Sequence, residues 1–385
     1  MNADERRCAL ALSRMGYHNI TVLRELYNAW GSMADIVKQH AHPEQLAPNM
    51  PERLLAAFAH TDEHLKRADE EMRFAQDNNI SIITLADEAY PQRLKACFDA
   101  PLALFFKGNA NLNAKHCISI VGTRKATPYA ADCIAQLTAR LKQLCPDILI
   151  VSGLAYGVDI MAHRQAIDHA LPTVAVLAHG LDTLYPTRHR KEATLMMQNG
   201  GLLTEYFSQS KIDKRNFLQR NRIVAGMSAA TLLVESAEHG GGLVTCRLAQ
   251  SYQHDVFAFP GNINNPYSVG CNRLIRDNVA GLVTSAEDIL KAMAWEENMK
   301  ETVATNGASS MGSSVLGATS ASTAHVPNGA QGVLDVLTKE NDLHIDIIAT
   351  RAGLPVNKVL ALLFQLEMSG MVSSLSGGRY HKVNS

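Results

Sequence analysis

Between residues 115 and 295 short, almost wholly apolar segments alternate with longer stretches of helical period, and this alternation leaves few architectures open. It predicts strands at 117–121, 148–152, 173–178, 202–204, 231–235, 255–259 and 281–284. Several have almost no polar position to turn toward water, as a parallel strand covered on both faces requires. Between them, 130–144, 158–169 and 243–253 read as helices. The pattern specifies an α/β fold, a doubly wound, Rossmann-like parallel sheet.

The flanks read differently. Residues 1–75 repeat apolar positions at helical spacing, with Gly16 and Gly31 as punctuation, and predict a small helical, sterile-alpha-motif-like domain. An extended Rossmann-like domain then covers 76–296. Residues 297–329 are dominated by Ser, Thr, Ala, Gly and Asn, a composition that cannot bury enough apolar area to fold and reads as a flexible linker. Residues 330–385 predict three amphipathic helices (333–337, 345–349, 356–366) and a hairpin turning at Gly377-Gly378, which is the order of a winged helix. Gly353 and Pro355 suit the tight bend between its second and third helices. That third helix carries one cation, Lys358, which argues against duplex reading there.

Bulk composition excludes more than it assigns. With 385 residues, 46% hydrophobic and 19% charged, the chain is long enough for two or three ordinary globular domains. Its net charge of −1 means that any nucleic-acid site must be a local patch. Seven scattered cysteines without a C-x-x-C pair argue against a disulfide framework or a zinc site and fit a reducing cytoplasm. The first residues carry acids and no apolar core behind them, so no signal peptide is expected, and no apolar run approaches membrane-spanning length.

One segment concentrates charge. Lys211, Lys214, Arg215, Arg220 and Arg222 place five cations in twelve residues, with Phe217 and Asn221 among them. Cations at this density hold phosphates, and an aromatic between them offers a face to an unpaired base. The alternative is a solvated amphipathic helix that buries Phe217, Leu218 and Ile223.

Four glycine turns follow strands, where open parallel sheets bind ligands. They are Gly122-Thr123-Arg124-Lys125, the run from Ser152-Gly153 to Gly157-Val158-Asp159, Gly240-Gly241-Gly242, and Pro260-Gly261-Asn262. Beside the 211–222 cations they suggest a phosphate-binding rim in which Gly122, Ser152, Gly153, Gly157 and Gly240 to Gly242 supply the turns. A catalytic centre is not apparent. Asp159 and His163 share a helix face without a nucleophile or metal set, and are expected to brace the turn and pack on the sheet. Glu205 and Glu235 end strands as lone carboxylates. The first turn reads G-T-R-K-A-T and lacks the dinucleotide fingerprint, so neither cofactor nor metal is expected.

Read together, these residues resemble the DprA/Smf family, the DNA-processing proteins of bacterial transformation. The match runs through Tyr90-Pro91, Phe106-Lys107-Gly108, Gly122-Thr123-Arg124, the turn from Ser152 to Asp159 and Gly180-Leu181-Asp182 with Tyr185-Pro186. It continues through Phe217 with Arg220-Asn221-Arg222 and ends at Asn265 to Asn272 and Leu274-Ile275-Arg276-Asp277. The resemblance implies a protein, not an enzyme, that binds single-stranded DNA, dimerises through its core and helps load the RecA recombinase. Arg124, Lys214 and Phe217 would be the strand pocket, supported by Lys125, Arg215, Arg220, Asn221 and Arg222, and Leu274, Ile275 and Leu282 would form the dimer edge. The chain departs from the family at Gly240-Gly241-Gly242, where a Ser-Gly-Ser turn is frequent. It also lacks a proline upstream of Phe217 and has Asn278-Val279-Ala280 in place of a Gly-Ala ending.

Two other classes share parts of this pattern. A nucleotide-cleaving hydrolase of the lysine-decarboxylase-like group needs P-G-G-x-G-T-x-x-E, which Pro260-Gly261-Asn262-Ile263 breaks. A winged-helix transcription regulator would place recognition in residues 330–385.

Overall fold

The computed structural model describes residues 3–17, 19–47, 50–295, 330–340, 343–369, 371–375 and 379–382. The expected linker at 297–329 and the glycine turn at 377–378 lie outside them. The described residues fall into two compact units, one ending at 295 and one beginning at 330.

Nine strands make the sheet of the first unit: β1 (Ser81–Thr84), β2 (Ala103–Gly108), β3 (Cys117–Val121), β4 (Leu149–Ser152), β5 (Thr173–Val176), β6 (Gly200–Thr204), β7 (Ala230–Leu233), β8 (Asp255–Ala258) and β9 (Gly281–Leu282). Their order is β1-β2-β6-β5-β4-β3-β7-β8-β9. From β6 to β9 every neighbouring pair is parallel. β1 and β2 are an antiparallel extension that the alternation in 115–295 did not reveal. Side chains alternate along the parallel strands, so the sheet has two covered faces. Ile118, Ile120 and Ile150 meet Ile134, Leu137 and Leu141 of the helix Pro128–Leu144 on one face. On the other, Val121 and Val151 share a core with Ile223 and Val224 of the helix Lys214–Met227 and with Leu243 and Cys246 of the helix Gly241–Ser251. Each such side chain removed from water is worth about 1.5–3 kcal/mol.

The N-terminal helices join this second face and its core through Leu10, Leu12, Leu54 and Phe58. Polar contacts fix their register. Glu5 accepts from the Ala34 amide at 3.0 Å and the Ser32 hydroxyl at 3.0 Å, and Arg7 grips Asp69 with two bonds of 2.6 and 2.8 Å.

The second unit has helices Gln331–Lys339, Ile345–Ala352 and Val356–Met368 and a three-stranded sheet of β10 (Leu343–His344), β11 (Val372–Leu375) and β12 (Arg379–Lys382) in the order β10-β12-β11. This is the expected winged helix with one short strand added. Gly353 takes a left-handed φ of 66° that ends the second helix, and the third turns away by 106°. Val333, Leu337, Ile348, Val359 and Leu363 form its own core.

Candidate nucleic-acid interface

β3 lies between β4 and β7, so the chain leaves adjacent carboxyl ends in opposite directions, the place where doubly wound sheets open a crevice. A cleft of about 600 Å³ opens there. The turns after β3, β4 and β7 supply Gly122 to Arg124, Gly153 and Ala155, and Ser236 with Gly240 to Gly242. The first two turns lock together. Gly157 has φ 77°, and a Cβ there would stand 2.2 Å from the Thr123 carbonyl oxygen, which also accepts from the Val158 amide at 3.1 Å. Gly157 therefore shapes the cleft from behind and does not line it.

The helix Lys214–Met227 forms the opposite wall. Asp213 caps it by accepting from the Arg215 amide at 2.7 Å. Its period sorts the basic segment into two faces. Lys214, Phe217, Leu218 and Asn221 line the cleft together with the more deeply buried Arg220 and Val224, whereas Asn216, Ile223 and Met227 are buried and do not line it. Lys214 and Arg215 both stand at the helix N-terminus, the positive end of its dipole. Such a placement costs about 0.3–1 kcal/mol per charge and favours an incoming anion. The helix Gly241–Ser251 also starts at the cleft, without a side-chain cap on its first amides.

Phe217 is half-buried at the centre of this wall. The Arg124 guanidinium stands 5.5 Å from its ring centroid, and the exposed Tyr185 ring meets it edge-on at 5.8 Å. Tyr185 belongs to a motif of the family resemblance, yet spacing gives no reason to place it in the site. Its position beside Phe217 depends on a contact across the sheet edge. Ile223 is buried as the amphipathic-helix reading requires, but Leu218 is 54% exposed on the cleft wall.

The expected contacts are not all placed alike. Arg220 still lines the cleft, with Cζ 6.0 Å from the Phe217 ring centroid, but it is only 3% exposed and donates to the Gly153 and Val176 carbonyls. Arg222 faces away from the cleft, in a buried ion pair with Glu205 and a 2.7 Å bond to the Asp99 carbonyl. Ser152 is fully buried and gives its hydroxyl to the Ile120 carbonyl at 2.6 Å, so it faces no ligand. Lys125 and Arg215 are exposed but lie outside the cleft lining. Leu274 is packed in the chain's own core, Ile275 is half-buried and Leu282 is exposed.

The carboxylates are engaged structurally. Glu235 accepts from the Thr127 amide at 2.9 Å and hydroxyl at 2.6 Å, fixing the start of a helix, and Glu205 holds Arg222. Asp159 does reach the cleft, and it braces the turn by accepting from the Ala155 amide at 3.3 Å. Burial raises its carboxyl above the ordinary range, although the Arg220 charge pulls the other way. His163 is wholly buried, with Nδ1 2.8 Å from the Thr173 hydroxyl. Among the described residues no single helix is long and apolar enough to cross a membrane.

Comparison with known proteins agrees with this fold. The family described as DNA recombination-mediator protein A matches residues 81–294, and the DprA winged helix domain matches 317–378. The chain is 32% identical to Protein Smf of Escherichia coli over 81% of its own length and 80% of that protein. It is 34% identical to the DNA processing protein DprA of Bacillus subtilis over 67% of its own length and 80% of that protein. The X-ray structure of DprA from Streptococcus pneumoniae superposes with a TM-score of 0.62 at 29% identity, covering 73% of this chain and 95% of that one. A Helicobacter pylori DprA structure described for its unique single-stranded DNA binding mode gives a TM-score of 0.51 at 29% identity, over 56% and 96%. With more than half its length matched by one family, the chain belongs to the DNA recombination-mediator protein A (DprA/Smf) family of DNA-processing proteins.

Proposed function

We propose that the protein binds single-stranded DNA in this cleft, as a homodimer, and hands the strand to the RecA recombinase during transformation and recombination. The observation that carries the binding step is Phe217, half-buried between the cations Arg124 and Lys214 at the mouth of two helix N-termini. Phosphates suit Arg124, Lys214 and the free amides of the Gly240 turn, and an unpaired base suits the aromatic pair Phe217 and Tyr185. The glycine triplet removes side-chain hydroxyls there but leaves the backbone donors. The winged helix is poorly suited to holding a strand, because its third helix exposes Val356, Leu360 and Phe364, with Lys358 as its one cation. For the dimer, β9 ends the sheet with Leu282 exposed, an edge that a second copy would cover. Fluorescence anisotropy with matched single- and double-stranded oligonucleotides tests the reading. Single strands should bind far more tightly, with affinity falling steeply in salt, and equal affinity for blunt duplex would reject it.

A further inference from the structure

One side chain of the cleft has the wrong sign for a strand's phosphates. Asp159 stands in the first turn of the helix Val158–Asp168, half-buried, and lines the same cleft as Arg124, Lys214 and Phe217. The first turn of a helix favours a carboxylate, and Asp159 Oδ2 accepts from the Ala155 amide. At 3.3 Å that bond is longer than most of its kind, and it engages only one of the two oxygens.

The second oxygen is left over. The Ser152 hydroxyl beside the carboxylate is given to the Ile120 carbonyl at 2.6 Å. Arg220 and Arg124 act on Asp159 through their charge, but among the described residues neither forms an ion pair with it. Arg220 is turned instead to the carbonyls of Gly153 and Val176. Oδ1 thus has no donor among the described residues, and it is not shut away from solvent. An oxygen of this kind repels a phosphate and attracts an N–H. A strand therefore enters with its phosphates outward, toward Lys214 and the Gly240 turn, and its bases inward. A base stacked on Phe217 turns an edge to the cleft, and the four bases differ in what that edge brings. Adenine, cytosine and guanine carry an exocyclic amino group, and aspartate pairs well with that of cytosine. Thymine has carbonyl oxygens in its place, on both sides of its one N–H, and a carboxylate repels them.

We propose that Asp159 reads the bases of the bound strand: Oδ1 accepts from an exocyclic amino group, so that the cleft holds cytosine more tightly than thymine. This preference rests on the single-strand reading of the cleft and adds a chemical choice to it. Because three of the four bases carry the amino group, most sequences are held alike and runs of thymine are disfavoured.

The test compares single strands of thymine with single strands of 5-methylcytosine. The two bases share ring size and methyl group, so they stack alike on Phe217 and differ at the edge that Asp159 meets. Anisotropy titrations of the full wild-type chain at neutral pH should show affinity about tenfold higher for the 5-methylcytosine strand. Asp159→Asn keeps the size and an oxygen for the Ala155 amide but brings its own N–H toward the base, and should abolish or reverse the preference. Lys214→Ala, which removes a phosphate contact, should weaken both strands alike and keep their ratio. Equal affinity of the wild type for the two strands, or a preference for thymine, would overturn the base reading alone, and needs no variant. A folded Asp159→Asn chain that keeps the wild-type ratio would also overturn it and leave Asp159 as a brace. A wild-type chain that binds neither strand would overturn both readings.

Discussion

The guanidinium of Arg220 occupies the space that a side chain at Gly153 would need: a Cβ built there would lie 2.5 Å from Arg220 Cζ. This cation of the cleft wall is engaged mainly by the protein's own main chain. It bonds the carbonyls of Gly153 and Val176 and holds the turn after β4 against the helix that carries Phe217. Its field still reaches the cleft, where low-dielectric walls weaken screening.

Gly153→Ala should therefore act as overpacking and not as a surface change. The buried guanidinium has to move, at a cost of about 1–3 kcal/mol, and strand affinity should fall with it. Denaturant melts beside anisotropy titrations measure both, and an unchanged melt would show that the floor yields freely.

Arg222→Ala should destabilise the fold by about 3–5 kcal/mol, because it leaves the Glu205 carboxylate buried without its cation. Replacing both residues with apolar ones of similar volume should recover much of the loss. Neither change should alter the salt slope of strand binding in folded protein. A slope lowered by one unit would return Arg222 to the DNA contacts.

At the rim the two kinds of contact separate by salt. Arg124→Ala and Lys214→Ala should each reduce the slope of log affinity against log salt by about one unit. Phe217→Ala should cost about 1–3 kcal/mol of binding with the slope nearly unchanged. Since the ring is half-buried, its melt should fall by less than the about 3–5 kcal/mol of a core phenylalanine. A loss of binding that merely follows unfolding would make the ring structural.

His163 sets an acid limit. Burial holds its ring neutral, lowering its pKa from 6.5 to about 3. The unfolded chain thus binds the proton first, so this contribution to stability is complete above pH 6.5 and is lost as pH falls toward about 3. His163→Gln should flatten that part of the stability profile, measured as denaturant midpoints across the range. An equally steep profile would assign the acid sensitivity to other groups.

Leu282→Glu should shift the chain toward monomer in sedimentation equilibrium while leaving its melt near that of a monomeric control, since the side chain is 54% exposed on the edge strand. An unchanged mass would move the dimer contact elsewhere.

What the sequence disclosed and what it hid follow from periodicity. Parallel strands announce themselves by unbroken apolar runs, so β3 to β9 were legible from 117–121 onward. β2 was not, because Ala103 to Phe106 stands apart from the alternation and pairs with a strand almost a hundred residues later. In the basic run, charge pointed all five cations at solvent. Helical spacing sends Arg220 inward instead, with Ile223 and Val224 three and four positions on, and the carbonyls of Gly153 and Val176, at the ends of two neighbouring strands, explain why a guanidinium is tolerated there. Tyr185 reaches the cleft through a contact between distant segments, which no local pattern records.

Five glycines, Gly122, Gly153, Gly240, Gly241 and Gly242, bring main chain alone to the floor of the cleft. A surface of peptide groups has the same chemistry whatever residue is substituted, short of a collision. Affinity can then be tuned in small steps only at the side chains around it, while changes to the floor act as switches that leave the site open or closed. Libraries built to adjust strand binding belong on Arg124, Tyr185, Lys214 and Phe217, and the glycines serve as the controls expected to give all-or-none behaviour.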